Sequence, residues 1–169
     1  LAANETVAED YYWQAQPFVY RVHEKPDADR MQRLGTFIRN FGYQLRTAGD
    51  ELHPGEIQKL LDRIAGTPEE AMLSRLTLRS MKRAQYATDC SGHFGLAAPY
   101  YCHFTSPIRR YPDLQIHRII KENLRGRLTA ERVEHYEAIL SEVAKHSSET
   151  ERRADEAERE TVKLKKVDY

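Results

Sequence analysis

The chain has 169 residues with 40% hydrophobic and 31% charged residues and a net charge of +0. That length fits one compact body with a sizeable core, and the composition excludes collagen-like and Pro/Gly-rich disordered chains. No apolar run approaches the ~18 residues that would span a membrane. Two cysteines, Cys90 and Cys102, are too few for a disulfide scaffold or a four-cysteine zinc site, so a reducing, cytoplasmic setting is expected.

The charge is unevenly distributed. Residues 1–74 carry 8 basic and 12 acidic residues, whereas 75–128 carry 10 basic and 3 acidic, a local net of +7. Residues 129–162 return to −5. A basic middle between acidic flanks suggests an anion-binding surface. The plain alternative is that these arginines and lysines lie on solvated helix faces.

Leu1 to about Trp13 is helix-forming sequence with neither an N-cap nor a basic, apolar leader before it, so the chain is expected to begin inside a longer one. Pro17 stops this helix, and Phe18 to His23 reads as a short strand. Asp27 can cap a helix through Met31, Leu34, Phe37 and Ile38. Gly42 and Gly49 bracket a loop. Pro54 opens a helix with Ile57, Leu60, Leu61 and Ile64 on one face, closed by Gly66. Thr67-Pro68-Glu69-Glu70 then has the form of a capping box, with Met72, Leu73, Leu76 and Met81 as buried residues of the next helix.

From Tyr86 to Thr105 the periodicity changes, and one or two strands are expected around Gly92 and Gly95. Ser106-Pro107 should start a helix that Pro112 kinks or makes irregular, running through Leu114, Ile116, His117, Ile119, Ile120 and Leu124 to Gly126. Thr129 caps a last segment that is free of Gly and Pro to Tyr169, about 60 Å if wholly helical. Its apolar stripe (Val133, Tyr136, Leu140, Val143) fades after His146, so the remainder should project or pack against something else. The expected fold is α+β, mostly helical with a few short strands and a long C-terminal helix.

Chemistry concentrates between Ser91 and Asp113. The glycines permit close backbone approach, and Thr105 and Ser106 offer hydroxyls at a helix start, where free N–H groups favour a phosphate. Arg109 and Arg110 supply planar guanidinium forks for phosphate. His93, Tyr100, Tyr101, His103, Phe104 and Tyr111 are rings on which bases can stack. Basic groups interleaved with aromatics suit single-stranded nucleic acid. Against this, Phe104 and Leu96 could be core residues, and Arg110 could pair with Asp113. Asp27 and Asp29 are better explained as helix-start residues than as metal ligands. Cys90, His93, Cys102 and His103 lack tetrahedral zinc spacing, His117 reads as a hydrogen-bonded core residue, and no serine sits in a nucleophile elbow.

Leu78-Arg79-Ser80-Met81-Lys82, His93-Phe94-Gly95-Leu96-Ala97 and His103 through Leu114 closely resemble the catalytic domain of the ribonuclease II / ribonuclease R family, most of all its bacterial ribonuclease R branch. Leu1 to Ala8, Tyr20 to Glu24 and Arg152 to Arg159 resemble it too, so the likeness covers the whole chain, 1–169. It implies a processive 3′→5′ exoribonuclease that releases nucleoside 5′-monophosphates from single-stranded RNA threaded through a channel, with Mg2+ held by aspartates.

By the same resemblance Arg109 matches the arginine beside the scissile phosphate. His103, Thr105, Ser106, Arg110 and Tyr111 belong to the same RNA-binding wall, with Arg79 and His93 as further channel positions. The departure is in what the chain does not contain. The aspartate cluster and a glutamate that the family places before its Leu-Ala-Ala-Asn segment have no counterpart here, nor do the flanking OB-type domains. The chain therefore resembles the C-terminal portion of that catalytic domain and should be inactive alone, with self-association expected through surface exposed by truncation. The alternative is a non-catalytic helical RNA-binding or protein-interaction module.

Overall fold

A computed structural model describes residues 1–45, 47, 48 and 51–167, with only the backbone described at 47, 48 and 51. Where the length suggested one body, the chain forms two compact units. The first joins residues 1–22, 85–90 and 100–169; the second joins 23–84 and 91–99. Gly49 and Tyr169 lie outside the described residues.

In the first unit, α1 (Ala2–Trp13) precedes β1 (Tyr20–Val22), which pairs antiparallel with β4 (Gln85–Ala87) in the register Arg21↔Tyr86. α5 (Tyr111–Leu124) and α6 (Ala130–Val167) complete it. Ala8, Tyr11, Phe18, Val19, Ile116, Ile119, Tyr136 and Leu140 form the buried core. The 38 residues of α6 bear out the expected long helix, and Thr129 caps it, its hydroxyl accepting the Arg132 N–H. Its apolar face ends as expected, with Tyr136, Leu140 and Ala144 as the buried positions. Two further contacts hold the helix just beyond that face. Ser148 Oγ accepts the Tyr86 N–H at 2.9 Å, and Glu151 takes both arms of Arg21 at 2.7 and 3.1 Å. Arg21 lies over the Tyr86 ring, 4.6 Å from its centroid. After Glu151 every described residue of α6 is exposed.

The second unit is built on α2 (Ala28–Arg39), α3 (Pro54–Ile64) and α4 (Glu70–Ser80), whose inner faces bury Met31, Leu34, Ile38, Ile57, Leu60, Ile64 and Leu73. Asp27 caps α2 as expected by accepting the Arg30 N–H. Residues 47–48 (β2) pair antiparallel with 51–52 (β3), where a loop was expected. The capping box at Thr67 does not form. The Thr67 hydroxyl donates to the Ile64 carbonyl, and Glu70 accepts the Gly66 N–H, so both groups close α3 rather than open α4. Helix α4 starts three residues later, and the register turns Met72 outward, 44% exposed. A short 3-10 turn at Phe94–Leu96 seats Phe94 in this core. Leu96, weighed as a core residue, is exposed.

His23 is buried here with both ring nitrogens engaged. Nδ1 accepts the Gly95 N–H at 3.0 Å, so Nε2 carries the proton it donates to the Lys82 carbonyl at 2.8 Å. The close backbone approach that the glycines promised is therefore to an imidazole. A Cβ on Gly95 would stand 2.8 Å from His23 Nδ1. Gly92 adopts φ +79, and a Cβ there would meet the Ala98 carbonyl at 3.2 Å.

Gly95→Ala should cost about 1–3 kcal/mol by overpacking, read as an earlier urea midpoint. Gly35→Ala, in mid-α2 with no atom within 4 Å of the added methyl, should instead stabilise by about 0.5–1 kcal/mol. Equal effects at the two positions would contradict the His23 contact. Burial pushes the Cys102 thiol up to about 12, and burial likewise pushes Tyr86 to about 12. Both groups are held protonated in the fold, so their contribution is complete below their ordinary pKa values and declines as pH rises toward 12. At pH 8 Cys102 should resist a disulfide reagent until denaturant is added; reaction of both thiols at equal rates in the native chain would refute this.

Candidate nucleic-acid interface

The expected site in the first unit begins with an extended strap, residues 101–104, held from two helices. Asn4 on α1 is buried and makes three contacts: its amide donates to the Tyr101 hydroxyl, its Oδ1 accepts the Phe104 N–H, and its carbonyl accepts from Cys102 Sγ. From α5, His117 Nε2 donates to the Phe104 carbonyl at 2.8 Å, and the two rings stack at 4.5 Å. His117 makes the hydrogen bond expected of it, but it is half-buried rather than in the core. Phe104 packs against the core and is occupied by this stack, as the plainer reading allowed.

Beyond the strap, Ser106 to Arg109 form one turn in which the Ser106 carbonyl accepts the N–H groups of Arg109 and Arg110. The helix does not start at Ser106. It starts at Tyr111, with Arg110 as N-cap and Pro112 in the first turn, where a missing N–H costs no helical bond. No kink is needed. The phosphate-binding helix start expected at Thr105 and Ser106 is corrected accordingly, because the Ser106 N–H is already taken by Asp113 Oδ1 at 2.8 Å.

Asp113 organises this corner. Its carboxylate is fully buried, and Oδ1 accepts from both the Ser106 N–H and Arg110 Nη2, each at 2.8 Å. Arg110 is therefore the structural arginine of the pair, as the alternative reading had it. Arg109 is different: it is exposed, and its guanidinium has no hydrogen bond or ion pair among the described residues. Ile108 beside it is 98% exposed, and Thr105 and Tyr111 are exposed too. Tyr111 is braced by an amide N–H from Gln115 to its hydroxyl. His103 is half-buried, with Nδ1 hydrogen-bonded to the Tyr86 hydroxyl at 2.9 Å. The fold thus gathers His103, Thr105, Ser106, Arg109, Arg110 and Tyr111 around one exposed turn.

Arg79 and His93 belong to the second unit. His93 bridges to His23 and Ala98 there, and Arg79 is exposed on α4. Tyr101 is buried, and Tyr100 packs on Tyr12 with ring centroids 4.7 Å apart. Asn4 was missed by the sequence reading. Its signal is a polar residue at the inner-face position of α1, in step with buried Ala8 and Tyr11. Among the described residues, no three His, Cys, Asp or Glu side chains are placed to hold a metal ion. Asp27 is engaged at its helix cap and Asp29 is exposed. The residues described do not fit a magnesium site.

Comparison with known proteins converges on one family. The RNB domain matches residues 1–126. Ribonuclease R 1 of Lactococcus lactis is 47% identical over all of this chain, and ribonuclease R of Thermotoga maritima is 46% identical. The chain spans 21% and 24% of those two proteins, about a fifth to a quarter of their length. Among solved structures, Mycoplasma genitalium RNase R in complex with ribose-methylated single-stranded RNA matches 94% of this chain and 25% of its own, with a TM-score of 0.86 at 29% identity. Yeast Ssd1, described as a pseudonuclease, matches 88% of this chain and 18% of its own, with a TM-score of 0.72 at 30% identity. The chain belongs to the RNB-domain family and matches a portion of the larger ribonuclease R proteins.

Proposed function

We propose that this chain is the C-terminal portion of the catalytic domain of a processive 3′→5′ exoribonuclease. In that reading it supplies the wall that positions the phosphates of single-stranded RNA, and the carboxylates that hold Mg2+ lie outside these residues. The observation that carries it is the Ser106–Arg109 turn. A buried carboxylate clamps that turn and leaves one unpaired guanidinium, Arg109, at its exposed end. An arginine held in this way meets a phosphate with little further ordering, and its planar fork can contact two oxygens at once. Thr105 and Tyr111 flank it on the same exposed surface, and the local charge of +7 across residues 75–128 draws in the polyanion. A cytoplasmic location is part of the same proposal.

Arg109→Ala and Asp113→Ala separate contact from support. In a full-length relative, Arg109→Ala should lower turnover by about 10²-fold or more while leaving stability within about 0.5 kcal/mol. Asp113→Ala should destabilise the fold by about 3 kcal/mol, because it strands Arg110 and the Ser106 N–H. Unchanged turnover in the Arg109 variant would remove it from the reaction.

The isolated chain, incubated with 5′-labelled single-stranded RNA and magnesium, should leave the RNA full-length on a sequencing gel. It should still bind that RNA weakly, with affinity falling as salt rises. A ladder of 3′-shortened products, lost in an Asp27→Asn/Asp29→Asn variant, would instead place a metal site at the start of α2.

A further inference from the structure

The second unit carries a groove apart from the Ser106–Arg109 turn, and of the residues expected to bind RNA only Arg79 lines it. It lies between α2 and α4 and has a volume of about 750 Å³. Arg30 and Arg33 line it from α2, and Arg75 and Arg79 line it from α4. Phe37 and Met72 lie along the same faces, 37% and 44% exposed. The spacing is helical on both sides: 30, 33 and 37 on one helix, 72, 75 and 79 on the other.

Three features define what this groove would take. All four guanidiniums are exposed, and none has a hydrogen bond or carboxylate partner among the described residues. Four like charges around one concavity repel each other, and that repulsion is relieved when anions enter. Between them the floor is apolar and includes a methionine, whose flexible thioether adapts to varied aliphatic partners. A cleft between two packed helices also matches the width of a third helix with apolar residues at i, i+3 or i+4, and i+7.

We propose that this groove docks an acidic amphipathic helix of a partner protein. Its aliphatic face would cover Phe37 and Met72, and carboxylates on its flanks would pair with the arginines. The charge alone would also suit an RNA backbone, but phosphates would leave the apolar floor of Leu34, Ala71, Met72 and Leu76 uncovered, and unpaired bases need flat rings to stack on. Among the described residues Phe37 is the only aromatic side chain lining the groove, and its ring already packs on Phe41 with centroids 5.5 Å apart.

The probe is a fluorescein-labelled 18-residue synthetic peptide, with leucines at helical spacing and glutamates on both flanks, titrated into the 169-residue chain by anisotropy. Binding is expected at about micromolar Kd. Arg33→Glu/Arg75→Glu should weaken it about tenfold or more, and Met72→Asp should do the same. The doubly reversed variant should in turn bind a lysine-flanked peptide of the same leucine spacing. These side chains are exposed, so unchanged circular dichroism and melting curves are expected for every variant. Absence of peptide binding overturns the proposal, as does equal binding of a scrambled peptide of identical composition. Labelled oligouridylate that binds in place of the peptide and is lost on charge reversal would make the groove an RNA site.

Discussion

The exposed turn depends on a charge that never meets water. Asp113 is completely buried, and an uncompensated carboxylate in that position would be costly. Its Oδ1 is compensated by a backbone N–H seven positions earlier in the chain and by the Arg110 guanidinium, both at 2.8 Å. Because one oxygen serves both donors, the turn and the helix start are coupled: moving either breaks the contact to the other. Pro112 contributes in the same direction by fixing φ in the first helical turn and presenting no N–H that would need a partner. The outcome is a division between adjacent identical residues, Arg110 held inward and Arg109 left outward.

This division bears on how family membership should be used. A fold of this kind occurs both in a ribonuclease R bound to RNA and in a protein described as a pseudonuclease. The architecture therefore does not carry the chemistry by itself; particular side chains do. In the present chain the residues that shape the turn and those free to meet a ligand are different ones, so the shape can persist whether or not a reaction takes place beside it.

Much of the architecture was legible from local patterns. The Asp27 cap, the faces of α2 and α3, the Thr129 cap and the long α6 all follow from side-chain periodicity and from groups that act within four residues of themselves. The misreadings share a different cause. Thr67 and Glu70 have the residue types of a capping box, yet their nearest unsatisfied groups belong to the end of the preceding helix, and they bond there. Ser106-Pro107 looks like a helix start, but its N–H is claimed by a carboxylate seven positions on. Asn4 and Gly95 owe their importance to partners about a hundred and about seventy residues away, Tyr101 and His23 among them. No local pattern encodes such a partner. At the site, the residue types and the Arg110–Asp113 pair were readable, but the hold of Asp113 on the Ser106 N–H was not.

The two-stranded ribbon of the first unit has a consequence beyond holding the core. Ribbons normally leave outward-facing amides along each side, and these can template pairing with another chain. Here Arg21 and Tyr86 face each other in the register and direct their N–H groups away from the ribbon on opposite sides. One is taken by the Tyr101 carbonyl at 2.9 Å and the other by the Ser148 hydroxyl at 2.9 Å. Both flanks are thereby closed at their central residue, one by an extended strap and the other by a helix. Strand-by-strand growth into an intermolecular sheet has no starting point at those two residues, so this ribbon lacks the exposed central amides from which short open ribbons extend.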